Sequence, residues 1–297
     1  MDVAGTPLAL IVNPHSAGGR ALRCLEVVEA ALDARRVEFR VERTRSLEHG
    51  VEAALLAAEA GELPVAMSGD GLLGAIGGAL AGSESPLGVI PCGRGNDLAR
   101  TLGIPTDPAA AVAALLASRP RAIDVGEANG SRFLGIASTG FDSDANALAN
   151  RTRLVRGNAV YAYAALRTLA SWKPARFTIA VGDERRRVSG YSVAVANNCC
   201  YGGGMRIAPD AELDDGLFDV VTVGEVGKLR FAANLPKVFK GTHVDSDEVG
   251  VFRARQLELS ASRPFPVYAD GEHLTDLPAT LRVLPRALRV LVPAGGA

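Results

Sequence analysis

The chain has 297 residues, 48% apolar and 22% charged, with a formal net charge of -1. That length suits two domains rather than one ordinary core, and the near-zero charge excludes a global field favouring nucleic acid or an anionic membrane. No window approaches the ~20 apolar residues of a spanning helix, and Met1-Asp2 opens without the basic region of a signal peptide. Cys24, Cys92, Cys199 and Cys200 lack the paired spacing of a zinc site, so reduced thiols in a cytoplasmic protein are expected.

Strand and helix signals alternate over the first part of the chain, which predicts a parallel sheet with helices on both faces. Pro7 to Val12 reads as a strand, followed by the turn Asn13-Pro14-His15-Ser16-Ala17-Gly18-Gly19. A helix is predicted from Arg20 to about Arg35, with Leu22, Leu25, Val28, Ala31 and Leu32 on one face. Strands follow at Val37 to Val41, Leu63 to Met67 and Leu87 to Ile90, and helices at Leu47 to Ala60, Leu72 to Leu80 and Leu98 to Leu102. Asp107-Pro108 opens a further helix reaching Leu116.

Near Ile123 the pattern changes to strand-like alternation: Ser131 to Ser138, Arg176 to Val181, Arg187 to Asn197, Leu217 to Val223, Gly250 to Leu259 and Pro266 to Ala269. Helix-like inserts at about Asn158 to Ser171 and Val226 to Phe239 interrupt it. An antiparallel sandwich is expected for residues 126–278 and a nucleotide-binding α/β domain for residues 1–125, with residues 279–297 returning to the first domain.

Ser68-Gly69-Asp70-Gly71 lies between a strand and a helix. Glycines there admit a phosphate close to the backbone, the helix start presents free N–H groups, and Asp70 can meet a metal or a proton. Gly69 to Gly74 also has GxGxxG spacing. The next strand, however, ends in Pro91-Cys92-Gly93 rather than on the acidic residue that a dinucleotide fold needs. Gly93-Arg94-Gly95-Asn96-Asp97 is a second glycine turn, in which Arg94 could pair with phosphate; the alternative is a βα turn capped by Asn96 or Asp97. In a parallel sheet these turns and the one at Asn13 to Gly19 emerge on one edge, where ligands bind.

Asp270-Gly271-Glu272 reads either as a hairpin turn or as a cleft carboxylate, Glu272, acting as base. The acidic loop Asp210 to Gly216 is either solvated or a site for Mg²⁺ or Ca²⁺. Arg151 to Arg176 contains no acidic residue, and Lys228, Arg230, Lys237 and Lys240 form a second basic group. Either could rest on an anionic bilayer, or could be a packed helix with basic flanks.

Together these motifs resemble the diacylglycerol kinase catalytic-domain superfamily, in particular soluble bacterial lipid kinases and their sphingosine kinase relatives. The matching residues are Ile11-Val12-Asn13-Pro14 with Ser16 and Gly18, Ser68 to Gly71, Pro91-x-Gly93-x-Gly95-Asn96-Asp97-Leu98-Ala99-Arg100, and Ile123-Asp124-Val125-Gly126. They continue with Ser138-x-Gly140-Phe141-Asp142, Ala208-Pro209-Asp210-Ala211 to Asp215-Gly216, Lys240-Gly241-x-His243 and Asp270-Gly271-Glu272. The resemblance implies an NAD-kinase-like three-layer α/β domain and a β-sandwich lipid-binding domain with the active site between them. It implies ATP-dependent phosphorylation of a lipid hydroxyl, with diacylglycerol as the default substrate and a sphingoid base or another glycolipid as alternatives.

By the same resemblance Asn13, Pro14, Ser16, Gly18, Thr44, Gly69, Asp70, Gly71, Leu72, Leu73, Gly93, Arg94, Gly95 and Asn96 would hold ATP. Asp70 and Asp97 would act with Mg²⁺, and Glu272 would take the proton from the acceptor. Glu212, Asp215 and Leu217 would hold a structural Mg²⁺. The implied partners are ATP and a membrane-derived lipid met at the membrane surface, without nucleic acid; a homodimer is compatible with this picture. The chain departs from the bacterial pattern Thr-x-Asn-Glu after Gly-Asp-Gly, having Leu72-Leu73-Gly74-Ala75 instead. An NAD kinase, a degenerate nucleotide- or lipid-binding protein and a Rossmann oxidoreductase are the competing readings.

Overall fold

A computed structural model describes residues 3–152 and 159–294, without the side chains of residues 149–151 and 159–162. The first domain has the element order β1 (Leu8–Val12), α1 (Arg20–Asp33), β2 (Phe39–Arg43), α2 (Leu47–Glu59), β3 (Leu63–Ser68), α3 (Asp70–Leu80), β4 (Gly88–Pro91), α4 (Asp97–Thr101) and α5 (Pro108–Leu116). Its strands pair in parallel in the order β2-β1-β3-β4. β1 is buried along its whole length, which is why its sequence is a continuous apolar run rather than an alternating one. Because the sheet is parallel, Asn13, Thr44, Gly69 and Cys92 all leave it on one edge. The Asp107 carboxylate caps α5 by accepting from Ala110 N at 2.9 Å, as the Asp-Pro pair predicts.

The second domain continues with β5 (Ser118–Ala128), β6 (Ser131–Phe133), β7 (Ile136–Gly140), α6 (Phe141–Arg151), α7 (Ala159–Ser171), β8 (Ala175–Val181), β9 (Glu184–Ala196), β10 (Phe218–Gly224), α8 (Lys228–Lys240), β11 (Val249–Ala254), β12 (Gln256–Ala261), β13 (Pro266–Ala269), β14 (Glu272–Asp276) and β15 (Ala279–Pro293). These strands form an antiparallel sheet, β14-β13-β7-β9-β8-β12-β15-β5-β6, with β10 and β11 branching from β9. The long strand β9 makes the branch. Its first half pairs with β8, and its second half lies between β7 and β10.

The sandwich core is aromatic: Tyr191 stacks on Phe231 at 4.0 Å, and Phe141 meets Phe231 edge-on at 4.9 Å. The expected strand from Ser131 to Ser138 is split at Leu134-Gly135, and the one from Gly250 to Leu259 at Arg255. The C-terminal stretch from Ala279 is one strand, β15, bulged between Leu284 and Leu288. β5, α6 and β14 carried no signal in the reading of the sequence. β15 also touches the first sheet: Leu87 N donates to Arg289 O at 2.8 Å and Leu291 N to Leu87 O at 2.9 Å.

α3 is the seam between the domains. Gly74, Gly77 and Gly78 share one face of it, and glycine inside a helix costs roughly 1 kcal/mol against alanine. Contact across the seam explains them. A Cβ on Gly77 would lie 2.5 Å from Leu134 Cδ1, and one on Gly78 would lie 3.0 Å from Arg132 Cβ. The Arg132 guanidinium donates to the carbonyls of Gly78 and Ala81 at the end of the same helix.

Candidate active site

Three turns converge at the edge where the parallel strands end. A Cβ on Gly69 would sit 3.0 Å from Gly93 Cα and 3.6 Å from Ser16 Oγ, so the second and third turns touch backbone to backbone beside the first. The Ser16 hydroxyl donates to Cys92 O at 3.3 Å. Asn13 Oδ1 accepts from His15 N at 3.0 Å and shapes the first turn. Pro14 follows Asn13 in that turn, and Gly18 winds it with φ +68. Thr44 is buried at the end of β2 and donates its N–H to Val12 O at 2.9 Å. A Cβ on Gly50 would lie 3.2 Å from Thr44 Cγ2 and 2.5 Å from Leu72 Cδ1, so the two side chains flank the same point on α2. Leu72 and Leu73 are buried in the core, so they can offer a phosphate only their backbone.

Carboxylates tie the turns together in sequence. Asp70 accepts from Asn96 N and Asp97 N, both at 2.8 Å. Asp97 in turn accepts from Gly203 N at 2.8 Å and Gly204 N at 2.7 Å, anchoring a loop of the second domain. Gly95 sits between the two acids: a Cβ there would be 2.7 Å from Asp97 Oδ2 and 2.9 Å from Asp70 Oδ2. Burial, and then the neighbouring Asp97 charge, push the Asp70 carboxyl upward against the amides that favour its ionised form. Asn96 adopts φ +53 and spends its side chain on Gly93, accepting from its N–H at 2.7 Å and donating to its carbonyl. Its part is to brace the turn rather than to face a ligand with its amide. Arg94 is exposed on the same turn, with no ion-pair partner among the described residues.

Asp270-Gly271-Glu272 is the hairpin turn between β13 and β14, and that turn also brings Glu272 to the first turn of α3. Glu272 Oε1 lies 3.3 Å from the position of a Cβ on Gly71, directly beside Asp70. Desolvation in the cleft raises its pKa, although the rest of the residue is exposed. Asp270 is the group that reading the sequence missed. Its carboxylate accepts from Leu134 N and Gly135 N, both at 2.9 Å, at the point where the expected strand is broken. A Cβ on Gly74 would lie 2.5 Å from Asp270 Oδ2. Burial, with the charges of Asp70 and Asp97 adding, pushes the Asp270 carboxyl up to about 7. The sequence signals that could have found it are its place in the same motif as Glu272 and the departure from the family pattern at Gly74.

The acidic loop lies away from these turns. Fully buried Asp124 holds it to β5 and β15 by accepting from Gly216 N at 2.6 Å and Arg286 N at 2.7 Å. Asp215 Oδ1 accepts from Leu217 N at 2.9 Å, while Asp215 Oδ2 and Asp219 Oδ2 are buried without a hydrogen-bond partner. Arg253 approaches both acids, at 3.6 and 3.2 Å, and Glu212 is exposed. Among the described residues no three His, Cys, Asp or Glu side chains gather as a metal-chelating group.

Residues 7–128 match the diacylglycerol kinase catalytic domain, and residues 135–292 match the YegS C-terminal NAD kinase beta sandwich-like domain. A diacylglycerol kinase of Mycobacterium tuberculosis is 35% identical over 295 residues, covering 96% of this chain and 95% of that protein. One from Bacillus subtilis is 27% identical over 238 residues, or 78% of each chain. The crystal structure of a diacylglycerol kinase from Bacillus anthracis shares the fold, with a TM-score of 0.79 and 22% identity over 97% of both chains. The two domain matches, in this order and over nearly the whole length, establish that the chain belongs to the diacylglycerol kinase family of lipid kinases.

Proposed function

We propose that the protein transfers the γ-phosphate of ATP to the hydroxyl of a membrane-derived lipid, with diacylglycerol as the first acceptor to test. The observation that carries this reading is the approach of Glu272 to Gly71, the residue after Asp70, at the first turn of α3 where the three glycine turns converge. No side chain caps the N-terminus of α3, so its first N–H groups are available to phosphate. Exposed Arg94 adds a cation that can pair with the same group. Phosphoryl transfer depends on positioning and charge neutralisation more than on covalent help, and these parts supply both. Glu272, with its raised affinity for a proton, would accept the acceptor's proton late in the transfer.

Asp70 and Asp97 flank the same point beside Gly95, and a divalent cation placed there would relieve the repulsion between their charges. Mg²⁺ is commonly held by one or two carboxylates together with substrate phosphates, so no all-protein cage is needed. Asp70 and Asp97 would hold it there, and it would neutralise the charge of the phosphates. At the acidic loop the buried Oδ2 atoms of Asp215 and Asp219 accept no hydrogen bond. A second, structural cation would share these two acids with Arg253, main-chain oxygens near Glu212 and Leu217 completing its set.

A small, largely apolar pocket of about 90 Å³ in the second domain, lined by Met205, Val221, Phe231, Leu235 and Val238, could take part of an acyl chain but not a whole lipid as it stands. Asp142 and Tyr201 also line it, and Tyr201 opens the turn whose Gly203 and Gly204 amides hold Asp97. α8 forms one wall of the pocket and presents its other side to solvent. There Leu229 is 90% exposed and Phe239 56%, among Lys228, Lys237 and Lys240. That face suits transient contact with an anionic bilayer. Leu166 of α7 is also exposed, whereas Arg153, Leu154, Val155 and Arg156 of the expected basic stretch lie outside the described residues. No helix of the described residues is long and apolar enough to cross a membrane.

The test is labelled ATP with a panel of lipid alcohols and NAD, resolved by thin-layer chromatography, with Asp70→Asn as control. A labelled lipid from wild type alone supports the proposal; labelled NAD without lipid product reverses it.

A further inference from the structure

Outside the reaction just described, the loop after β9 holds two adjacent cysteines in contact. Cys199 and Cys200 have their sulfurs 3.5 Å apart, and the Thr101 hydroxyl lies 3.5 Å from the first and 3.6 Å from the second. Both are free thiols, the first half-buried and the second buried. The same loop runs on into a tight turn closed by Tyr201 and Met205, each donating its N–H to the other's carbonyl. Gly203 and Gly204 in that turn give their amides to Asp97, and Thr101 donates to the Asp97 carbonyl from within α4.

We propose that Cys199 and Cys200 form a hydroperoxide-responsive dithiol, in which Cys199 is oxidised and Cys200 resolves it into a reversible disulfide that loosens the turn holding Asp97. In the first step the Cys199 thiolate attacks one peroxide oxygen and the O–O bond breaks. Cys199 becomes a sulfenic acid, and the departing oxygen takes a proton to leave as water or an alcohol. In the second step the Cys200 sulfur attacks the oxidised sulfur. The S–S bond forms, the S–O bond breaks, and the hydroxide leaves as water with the Cys200 proton. Two thiols and one hydroperoxide thus give one disulfide, one alcohol or water, and one further water.

The environment favours this order. Contact with Cys200, and the nearby Arg206, pull the Cys199 thiol downward, while Cys200 is pushed upward by Cys199 and by burial. Cys199 is also the less buried of the two. The thiolate is the reactive form. Neighbouring Cα atoms sit 3.80 Å apart across a trans peptide, short of the 4.4–6.8 Å usual for a disulfide, so the ring must twist the backbone between them. A bond strained in this way is easily reduced, as a reversible switch requires. The twist would pass directly into the 201–205 turn.

The test uses the full chain, treated with hydrogen peroxide and read by peptide mass spectrometry. The expected result is a loss of two hydrogens on the peptide bearing Cys199 and Cys200, restored by dithiothreitol. Cys200→Ser should stop at a Cys199 sulfenic acid trapped by dimedone, and Cys199→Ser should slow oxidation at this site by about tenfold or more. Amide exchange of residues 201–205 should rise on oxidation. Oxidation first at the buried Cys24 and Cys92, a disulfide between two chains, or unchanged exchange in the 201–205 turn would overturn the proposal. None of these readouts needs kinase turnover, so they stand apart from the test of the lipid kinase reading.

Discussion

Asp270→Asn should change the pH dependence of stability, and in a stated direction. The folded Asp270 carboxyl is pushed up to about 7 from an ordinary 3.8, first by burial and then by Asp70 and Asp97. The folded state therefore holds this proton more tightly than the unfolded chain. Its contribution is fully present below about pH 4 and is lost as pH rises to about 7. At about 1.4 kcal/mol per pKa unit, the loss approaches about 4 kcal/mol, of which about 3 falls between pH 4.5 and pH 8. Asparagine has no such titration. It can accept from only one of Leu134 N and Gly135 N, and leaving the other amide unmet costs about 1–3 kcal/mol at every pH. The variant should thus be less stable than wild type at pH 4.5 and close the gap or overtake by pH 8. Urea unfolding without nucleotide or metal, followed by the fluorescence of buried Trp172, measures the difference at each pH. Parallel wild-type and variant curves across that range would refute the assignment of a raised carboxyl to Asp270.

Gly95→Ala would push a methyl between Asp70 and Asp97; a displacement of the order of 1 Å should lower turnover by about 100-fold in steady-state assays. Gly77→Ala meets Leu134 and Leu288 at the seam between the domains and should cost about 1–3 kcal/mol in denaturant unfolding. Exchanging Leu229 and Phe239 together for Glu should abolish co-sedimentation with anionic vesicles while leaving turnover of a detergent-dispersed lipid near wild type. Asp215→Ala should lower the melting temperature in Mg²⁺ more than in a chelator, since only the loaded loop loses a ligand.

Much of this site was legible before any coordinates. The turns at Asn13, Gly69 and Gly93 declared themselves because each follows a short apolar run and carries glycines where a backbone must bend or be approached. Parallel topology then put them on one edge by symmetry of direction alone. What stayed hidden was long-range. The break of the strand at Leu134-Gly135 leaves little local mark, because the carboxylate that meets both amides there, Asp270, lies far along the chain. The bulge between Leu284 and Leu288 is by contrast marked locally by Pro285. The short hairpin strand β14 and the polar helix α6 likewise lack the apolar periodicity that marks their neighbours.

The amino-acid sequence by itself determined the two-domain plan, the alternation of strands and helices along the first domain and the family's motifs, since these follow from local periodicity and turn chemistry. Only the tertiary structure decided that Asp270 joins Asp70 and Asp97, that α3 needs glycine on one face, and that Asn96 braces a turn. The first two outcomes depend on groups far apart in the chain meeting across the seam, and the energies of burial and hydrogen bonding that fix them exist only after the domains have closed on each other. The third is local, but which of its possible partners the Asn96 amide takes is set by the folded turn.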